Sequence, residues 1–539
     1  MPSESASAPS EATSDTPTEA PTSEILSEIP SESASAPSDA PSDTPTEAPT
    51  VDPLLAPFEA LDFGGAEIVI ALSQYVSSEI PRESYQYIQG PERQGADTVL
   101  NAVYERNLQV EDALGISPRY VLTNLGYADI ATNIAMNNNM SAEDGPDLYI
   151  DQVYGLIRAQ MAGHLMNVKT KDEKSHFDFG EDKTANKNGW YNAYMHGFNF
   201  ASDEKMYLLA GDYFTDVARH MTLTAVNVTK FGELFTNGNA NRPELGTGTD
   251  YLYNTVEAGE WTADQMIEWS ELIHQDIGSV KGKADLGDRL GVLAYDGGPS
   301  AMSLLPSMDV SLYQVSKDGT QYSVAQSERA VHAVDAWQRA FRSTGVHLLK
   351  ATEAANGYAD LATVFIDGNV LFAPGIQLFQ LETQEMKGME DLKCVIPYPK
   401  LYESDPYFVF THDNARVGGI LKTTQHFEAV SAWVQAASVS STKVLDEYYN
   451  VALKFKESGE FGSATMLDIV YDSICNPKWI VDSAILTVTN NAIDTDKAPT
   501  SHYRVTSDTT NMYVSKYNAQ IEKMKSALSA YIATFNALK

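Results

Sequence analysis

Along this chain of 539 residues, apolar positions fall into strand-like runs and helical stripes only from about Phe58 onward. After Gly64-Gly65, the run Ala66-Glu67-Ile68-Val69-Ile70-Ala71-Leu72 predicts a strand. From Asp97 to Leu114, residues Val99, Leu100, Val103, Leu108, Val110, Ala113 and Leu114 recur at helical spacing, and Gly115 follows where a left-handed cap would sit. Tyr120-Val121-Leu122 and Asp147-Leu148-Tyr149-Ile150 read as further strands. A helix from Tyr127 to about Met140 is predicted between them, and another over Val153–Met161 that closes at Gly163. Strands alternating with helices over a hundred residues predict an α/β layer with right-handed crossovers.

A later helix start is fully spelled out. In Trp261-Thr262-Ala263-Asp264-Gln265-Met266, Thr262 fits the N-cap and Gln265 its capping-box partner. Trp261 and Met266 occupy the flanking staple positions, which makes Trp261 a structural residue rather than a ligand platform. Further helices are expected over 429–437 and 515–538. In the second, Ile521, Met524, Leu528, Tyr531, Ile532 and Phe535 form a docking stripe.

Composition separates the two ends of the chain. Residues 3–22 and 31–50 repeat one Ser/Pro/Thr/Glu-rich sequence, changed only at Glu11 to Asp39 and Thr13 to Pro41. The first fifty residues hold ten carboxylates and no Lys or Arg. They carry too little apolar surface to offset their chain entropy, so residues 1–56 are expected to be a disordered linker. The segment has neither a basic n-region nor an apolar h-region. A spacer of this kind makes most sense on an exported protein whose signal and lipid anchor lie upstream. The net charge of −36 leaves about −26 on the remaining residues, without a basic patch, which argues against nucleic acid and against an anionic membrane surface. No apolar run reaches the ~18 residues of a membrane span.

Catalytic signatures are missing: there is no H-E-x-x-H, C-x-x-C, G-x-S-x-G, Walker loop or dinucleotide fingerprint. No metal site and no cofactor is expected. The ten His are scattered, and Asp494-Thr495-Asp496 begins like a calcium loop but is broken by Lys497 and Pro499. Asn139 and Asn227 fit the glycosylation pattern, a weak signal. Cys394 and Cys475 leave one bridge open. The 28 Tyr and 6 Trp, with groups such as Trp190-Tyr191-Asn192-Ala193-Tyr194, can stack on sugar rings as well as fill a core.

The order of landmarks resembles the extracellular solute-binding proteins (family 1) of carbohydrate ABC transporters, especially long lipoprotein members of gut Firmicutes. The resemblance spans about residues 60–539. It rests on Asn101-Ala102-Val103-Tyr104-Glu105-Arg106-Asn107, Asp147-Leu148-Tyr149, Tyr207-Leu208-Leu209-Ala210-Gly211-Asp212, Gly259-Glu260-Trp261-Thr262, Phe365-Ile366-Asp367-Gly368-Asn369, Ile396-Pro397-Tyr398-Pro399 and Met466-Leu467-Asp468. The chain departs at Asn188-Gly189-Trp190-Tyr191, where paired Trp would be expected, and lacks an Arg after Phe372.

The resemblance implies a two-lobed, periplasmic-binding-protein-like (type II) α/β fold with hinge crossovers and a helical C-terminal region. Lobe 1 would take 57–211 and 403–448; lobe 2 would take 212–402 and the helical 449–539. Ligand contacts would come from Gln74, Tyr75, Asp151, Gln152, Trp190, Asp212, Tyr213, Gln377, His412, Asp413 and Trp479, near strand ends and crossovers. The implied function is non-enzymatic. A monomer on the outer face of the cell membrane would capture a sugar, best an oligosaccharide, and pass it to the permease subunits of an ABC transporter. A peptide or other polar solute is the alternative ligand. A secreted glycoside hydrolase and a surface adhesion protein are the rival classes.

Overall fold

A computed structural model describes residues 53–539 apart from 77–83, 140–144, 171–173, 183–185, 187, 201, 203, 316–321, 325–326, 351, 355, 357–358, 450–460, 475–479, 483 and 486–509. The repeated linker, Cys475, Trp479 and the Asp494–Asp496 stretch therefore lie outside the described residues.

The first sheet is built from the predicted alternation. β1 (Ala66–Ser73) pairs in parallel with β2 (Ile116–Thr123) and with β3 (Leu148–Gln152). The helix Thr98–Leu114 connects the first two; Asp97 caps it by accepting from the Leu100 amide, and Gly115 ends it at φ 61°. β2 begins four residues earlier than the apolar run implied, because Ser117-Pro118-Arg119 continue the ladder at a sheet edge, where a missing amide is tolerated. The helix expected from Tyr127 is shorter, at Ile130–Asn137. Val153–Met161 is helical as predicted, and Gly163 takes φ 72°.

The second sheet is mixed, in the order β10-β4-β9-β5-β8. Its strands are β4 (Met221–Asn227), β5 (Leu290–Tyr295), β8 (Val346–Leu349), β9 (Val370–Gln377) and β10 (Lys393–Ile396). Between β5 and β8, the two-residue strands β6 (Gln314–Val315) and β7 (Tyr322–Ser323) form a separate ribbon. β9 carries Pro374-Gly375, and its register with β4 slips there, since Leu223 faces Ile376 while Thr224 faces Pro374. Gly375 is the extra residue, at φ 116°, and a Cβ there would lie 2.4 Å from the Ser300 side chain. Only glycine lets the strand bend against the helix Gly298–Ser303, which carries Ser300.

After the second sheet the chain returns. β11 (Phe410–Thr411) pairs with β4, and five residues later β12 (Arg416–Ile420) joins the first sheet antiparallel to β3. The helix Phe427–Val439 then packs on Thr98–Leu114, and Phe461–Asp472 packs back on β10. The chain thus makes two α/β lobes; the described residues pass from the first sheet to the second between β3 and β4 and return between β11 and β12. The C-terminal helix Tyr513–Ala537 touches the helices Glu328–Arg342 and Val153–Met161, burying Met524, Leu528, Tyr531 and Phe535. Among the described residues no helix is long and apolar enough to cross a membrane.

The Trp261 start is half as predicted. Thr262 accepts from the Gln265 amide, but the Gln265 side chain turns forward to Glu268, so the reciprocal bond of the box is not formed. Trp261 is fully buried against Trp269 and Phe372, and its indole donates to the Pro397 carbonyl at 2.9 Å.

Candidate functional site

Where the carboxyl ends of β1, β3 and β9 approach the crossing segments, the interior turns polar. Arg416, the first residue of β12, is buried and donates to the carbonyls of Ser73 and Tyr75, both at 3.0 Å. Its third contact is Asp216 Oδ2 at 2.5 Å, in the short helix Asp216–Arg219 that leads into β4. Asp216 Oδ1 also accepts from Ser84 at 2.9 Å and from Arg219 at 3.2 Å. Burial alone would raise the Asp216 carboxyl, but Arg416, His220 and Arg219 outweigh it and hold the group at about 2. Arg219 in turn grips Glu382, which also accepts from Tyr448 at 2.6 Å and Tyr87 at 3.3 Å. Two cations and two carboxylates cancel in this network, and each oxygen of both carboxylates has at least one donor.

Beside it lie groups that are less fully answered. His220 donates through Nδ1 to the Asp216 carbonyl at 3.0 Å, because that oxygen can only accept. Burial pushes its imidazole down to about 4, so the ring is neutral and Nε2 is an acceptor. Among the described residues, His220 Nε2, Gln152 Nε2 and Thr222 Oγ1 are enclosed with no hydrogen-bond partner. Gln152 ends β3 on the first sheet, Thr222 is the second residue of β4 on the second, and His220 stands just before β4. Arg416 links them: its backbone faces Gln152 across the ladder, and its guanidinium holds Asp216.

Two carboxyls border this group. Asp151 is pushed up to about 6 by burial, against the opposing pull of the Gln152 amide and Arg416. Asp413 is pushed up to about 7 by burial. Its Oδ1 is 3.2 Å from His412 Nδ1, which already accepts from the Asn414 amide. An ionised Asp413 would set lone pair against lone pair there, whereas its protonated form can donate.

The expected contacts distribute unevenly. Asp151, Gln152, Gln377, His412 and Asp413 gather around the His220 group. Gln377 lies opposite Thr222 and reaches the His220 carbonyl at 3.4 Å, and the His412 amide reaches the same oxygen at 3.1 Å. Gln74 and Tyr75 adjoin it through backbone: the Gln74 amide bonds Thr123, and the Tyr75 carbonyl receives Arg416. Asp212 belongs to a separate aromatic group, bonded to Tyr471 at 2.8 Å, with Tyr191 and Tyr449 packed on the Tyr471 ring. Burial raises the Asp212 carboxyl.

Trp190 and Tyr213 are placed differently from the expectation. Both are fully buried. Trp190 bonds Gln435 at 3.0 Å and packs on Phe177 and Phe179; Tyr213 accepts from the Trp433 indole at 3.3 Å beneath Arg106. Their ring faces are filled by protein, so their hydrophobic payload goes to the core. Trp479 falls outside the described residues.

Sequence reasoning missed Asp216, Arg219, His220, Glu382 and Arg416. A signal existed: Arg416 interrupts the otherwise apolar run Ala415–Ile420, and Asp216, Arg219 and His220 immediately precede a strand of seven buried residues. Among the described residues no three His, Cys, Asp or Glu come together as a metal site.

No family model matches the chain, and no curated protein matches it. Solved structures do resemble it in chain course. The sugar-binding protein MalE of Xanthomonas citri aligns over 88% of this chain and 100% of its own, with TM-score 0.49 and 11% identity. An ABC transporter solute-binding protein of Thermotoga lettingae, bound with α-D-tagatose, aligns over 86% and 100%, with TM-score 0.46 and 12% identity. The galacto-N-biose/lacto-N-biose I-binding protein of Bifidobacterium longum, in complex with lacto-N-biose, aligns over 88% and 98%, with TM-score 0.46 and 13% identity.

Proposed function

We propose that this protein captures a polyhydroxylated solute, an oligosaccharide, between its two lobes and hands it to the permease of an ABC transporter without chemically altering it. The observation that carries the reading is that Gln152 Nε2, His220 Nε2 and Thr222 Oγ1, three of the enclosed polar atoms without a hydrogen-bond partner among the described residues, stand at the end of β3, on the segment before β4 and near the start of β4. A donor from one lobe, an acceptor at the crossing and a hydroxyl on the other lobe stand without protein partners. A sugar hydroxyl, which donates and accepts at once, satisfies both kinds. Asp151 and Asp413 at the border add carboxyls able to accept or, when protonated, to donate.

In this reading 57–211 with 403–448 form one clamping body and 212–402 with 449–539 the other. Ligand bridging both favours the closed form. The acidic linker spaces the receptor from a lipid anchor on the outer face of a cell membrane, and the protein works as a monomer. The low net charge requirement of a neutral sugar agrees with an acidic body that offers no steering field for anions.

A calorimetric and thermal-shift screen against plant, host and storage oligosaccharides tests this. Expected is saturable binding with a raised melting temperature, since a ligand of the folded state stabilises it by mass action, together with a smaller radius of gyration in solution scattering. Binding of peptides or amino acids alone would overturn the carbohydrate assignment. The raised Asp151 and Asp413 favour one rival, a glycoside hydrolase that needs a protonated carboxyl. Release of shortened products from a bound glycan would establish it instead.

A further inference from the structure

At the carboxyl end of the first sheet, beside the proposed site, one tyrosine is left in the open. Tyr127 follows β2 by four residues and is about half exposed. Its ring meets Tyr154 edge-on at 5.3 Å, and Tyr154 sits in the first turn of the helix that follows β3. The Tyr154 amide is 3.4 Å from the Asp413 carbonyl, which fixes this group at the border of the site. Arg158, one turn on, lies over both rings, at 4.7 Å from Tyr154 and 5.5 Å from Tyr127.

The partners of Arg158 set it apart. Two other arginines over tyrosine rings are neutralised, Arg219 by Glu382 and Arg329 by Asp405, and a third, Arg106 over Tyr213, is buried with its N–H groups on Asn107, Ser441 and the Ile88 carbonyl. Among the described residues Arg158 has no carboxylate, and its one side-chain bond goes to the Tyr154 hydroxyl at 3.3 Å. In a chain with 73 acids and 37 bases, a guanidinium without a carboxylate among the described residues keeps N–H donors available. An open aromatic face beside those donors matches a sugar ring, with its apolar C–H face and its rim of oxygens.

We infer that Tyr127 and Arg158 form an outer subsite of the cleft. A pyranose ring stacks on the open face of Tyr127, and Arg158 donates to an oxygen on that ring, either a hydroxyl or the carboxylate of a uronic acid. The inference rests on the capture reading, and it adds that the ligand is longer than the inner site alone would hold.

The test is calorimetry of wild type, Tyr127→Ala, Tyr127→Phe and Arg158→Gln with ladders of two to six sugar units. Cello-, malto- and xylo-oligosaccharides supply the neutral arm, and uronate-capped xylo-oligosaccharides the charged one. Expected is a loss of about 5- to 10-fold for Tyr127→Ala on the longer ligands only, the scale of one aromatic stacking contact, with Tyr127→Phe retaining wild-type affinity. Arg158→Gln weakens the uronate-capped ligands more than the neutral ones if the acceptor is a carboxylate, and both alike if it is a hydroxyl. Equal binding by wild type and Tyr127→Ala across a ladder that does bind overturns the subsite and leaves the capture reading standing. So does an equal loss at every length. Wild type that binds no saccharide overturns both.

Discussion

Arg219 holds Glu382 in a two-point fork, Nε to Oε1 at 3.0 Å and Nη2 to Oε2 at 2.9 Å, with the guanidinium carbon 3.8 Å above the Tyr87 ring. Glu382 follows β9 of the second sheet, whereas Tyr87 precedes the helix Thr98–Leu114 of the first. Tyr448, which also donates to Glu382, follows the helix Thr442–Glu447. One carboxylate thus ties segments of both lobes together.

Glu382→Ala leaves Arg219 buried without this partner. Removing one member of a buried pair costs about 3 kcal/mol or more, so the variant's urea-unfolding midpoint should fall accordingly. An unchanged midpoint would show that the fork contributes nothing to holding the fold.

Gln152→Met exchanges an enclosed, unanswered amide for an apolar side chain of similar shape. An unsatisfied buried donor costs about 1–3 kcal/mol, so the ligand-free protein should gain roughly 1 kcal/mol in chemical denaturation while ligand affinity drops about tenfold or more. Stability and affinity moving in opposite directions is the signature of a group kept for a ligand. A stability loss with unchanged affinity would make Gln152 structural.

Burial raises Asp413 to about 7 and Asp151 to about 6, so in the fold both hold protons that the unfolded chain has already released. Each favours the folded state below about pH 4, and that contribution is lost as pH rises through the raised value. Asp216, held at about 2, acts oppositely, and its contribution disappears only as pH falls toward 2. Asp413→Asn should therefore be more stable than wild type at pH 8 and similar to it only at about pH 4 or below. Unfolding curves at the two pH values decide this, and a gap that does not change with pH counts against a protonated Asp413.

Trp261→Ala removes the indole from between Trp269 and Phe372 and should cost about 3–5 kcal/mol. Ligand affinity, measured well below the variant's melting temperature, should not change. A selective loss of affinity with normal stability would move Trp261 from the core to the site.

The first lobe was readable because its elements are local. Asp97, Gly115 and Gly163 punctuate helices whose apolar spacing is regular, and each signal lies within a few residues of what it controls. The same logic read Gln265 as a cap partner and failed by one bond, since Glu268, a turn further on, competes for the side chain. Asp151, Gln152, Gln377, His412 and Asp413, expected from their position at strand ends, all fall near His220. Aromatic character was no guide, because Trp190 and Tyr213 satisfy the same composition rule by filling a core.

What the chain determined by itself is the α/β alternation, the helix ends, the acidic linker composition and the set of polar residues standing after strands. Only the tertiary structure decided that Arg416 meets Asp216 across 200 residues, that Glu382 is reached from Tyr87 and Tyr448, and that His220 keeps a neutral, unanswered nitrogen just before β4. The reason is range. Capping and periodicity act over one or two helical turns, whereas a buried charge is allowed only by partners that folding brings from distant segments.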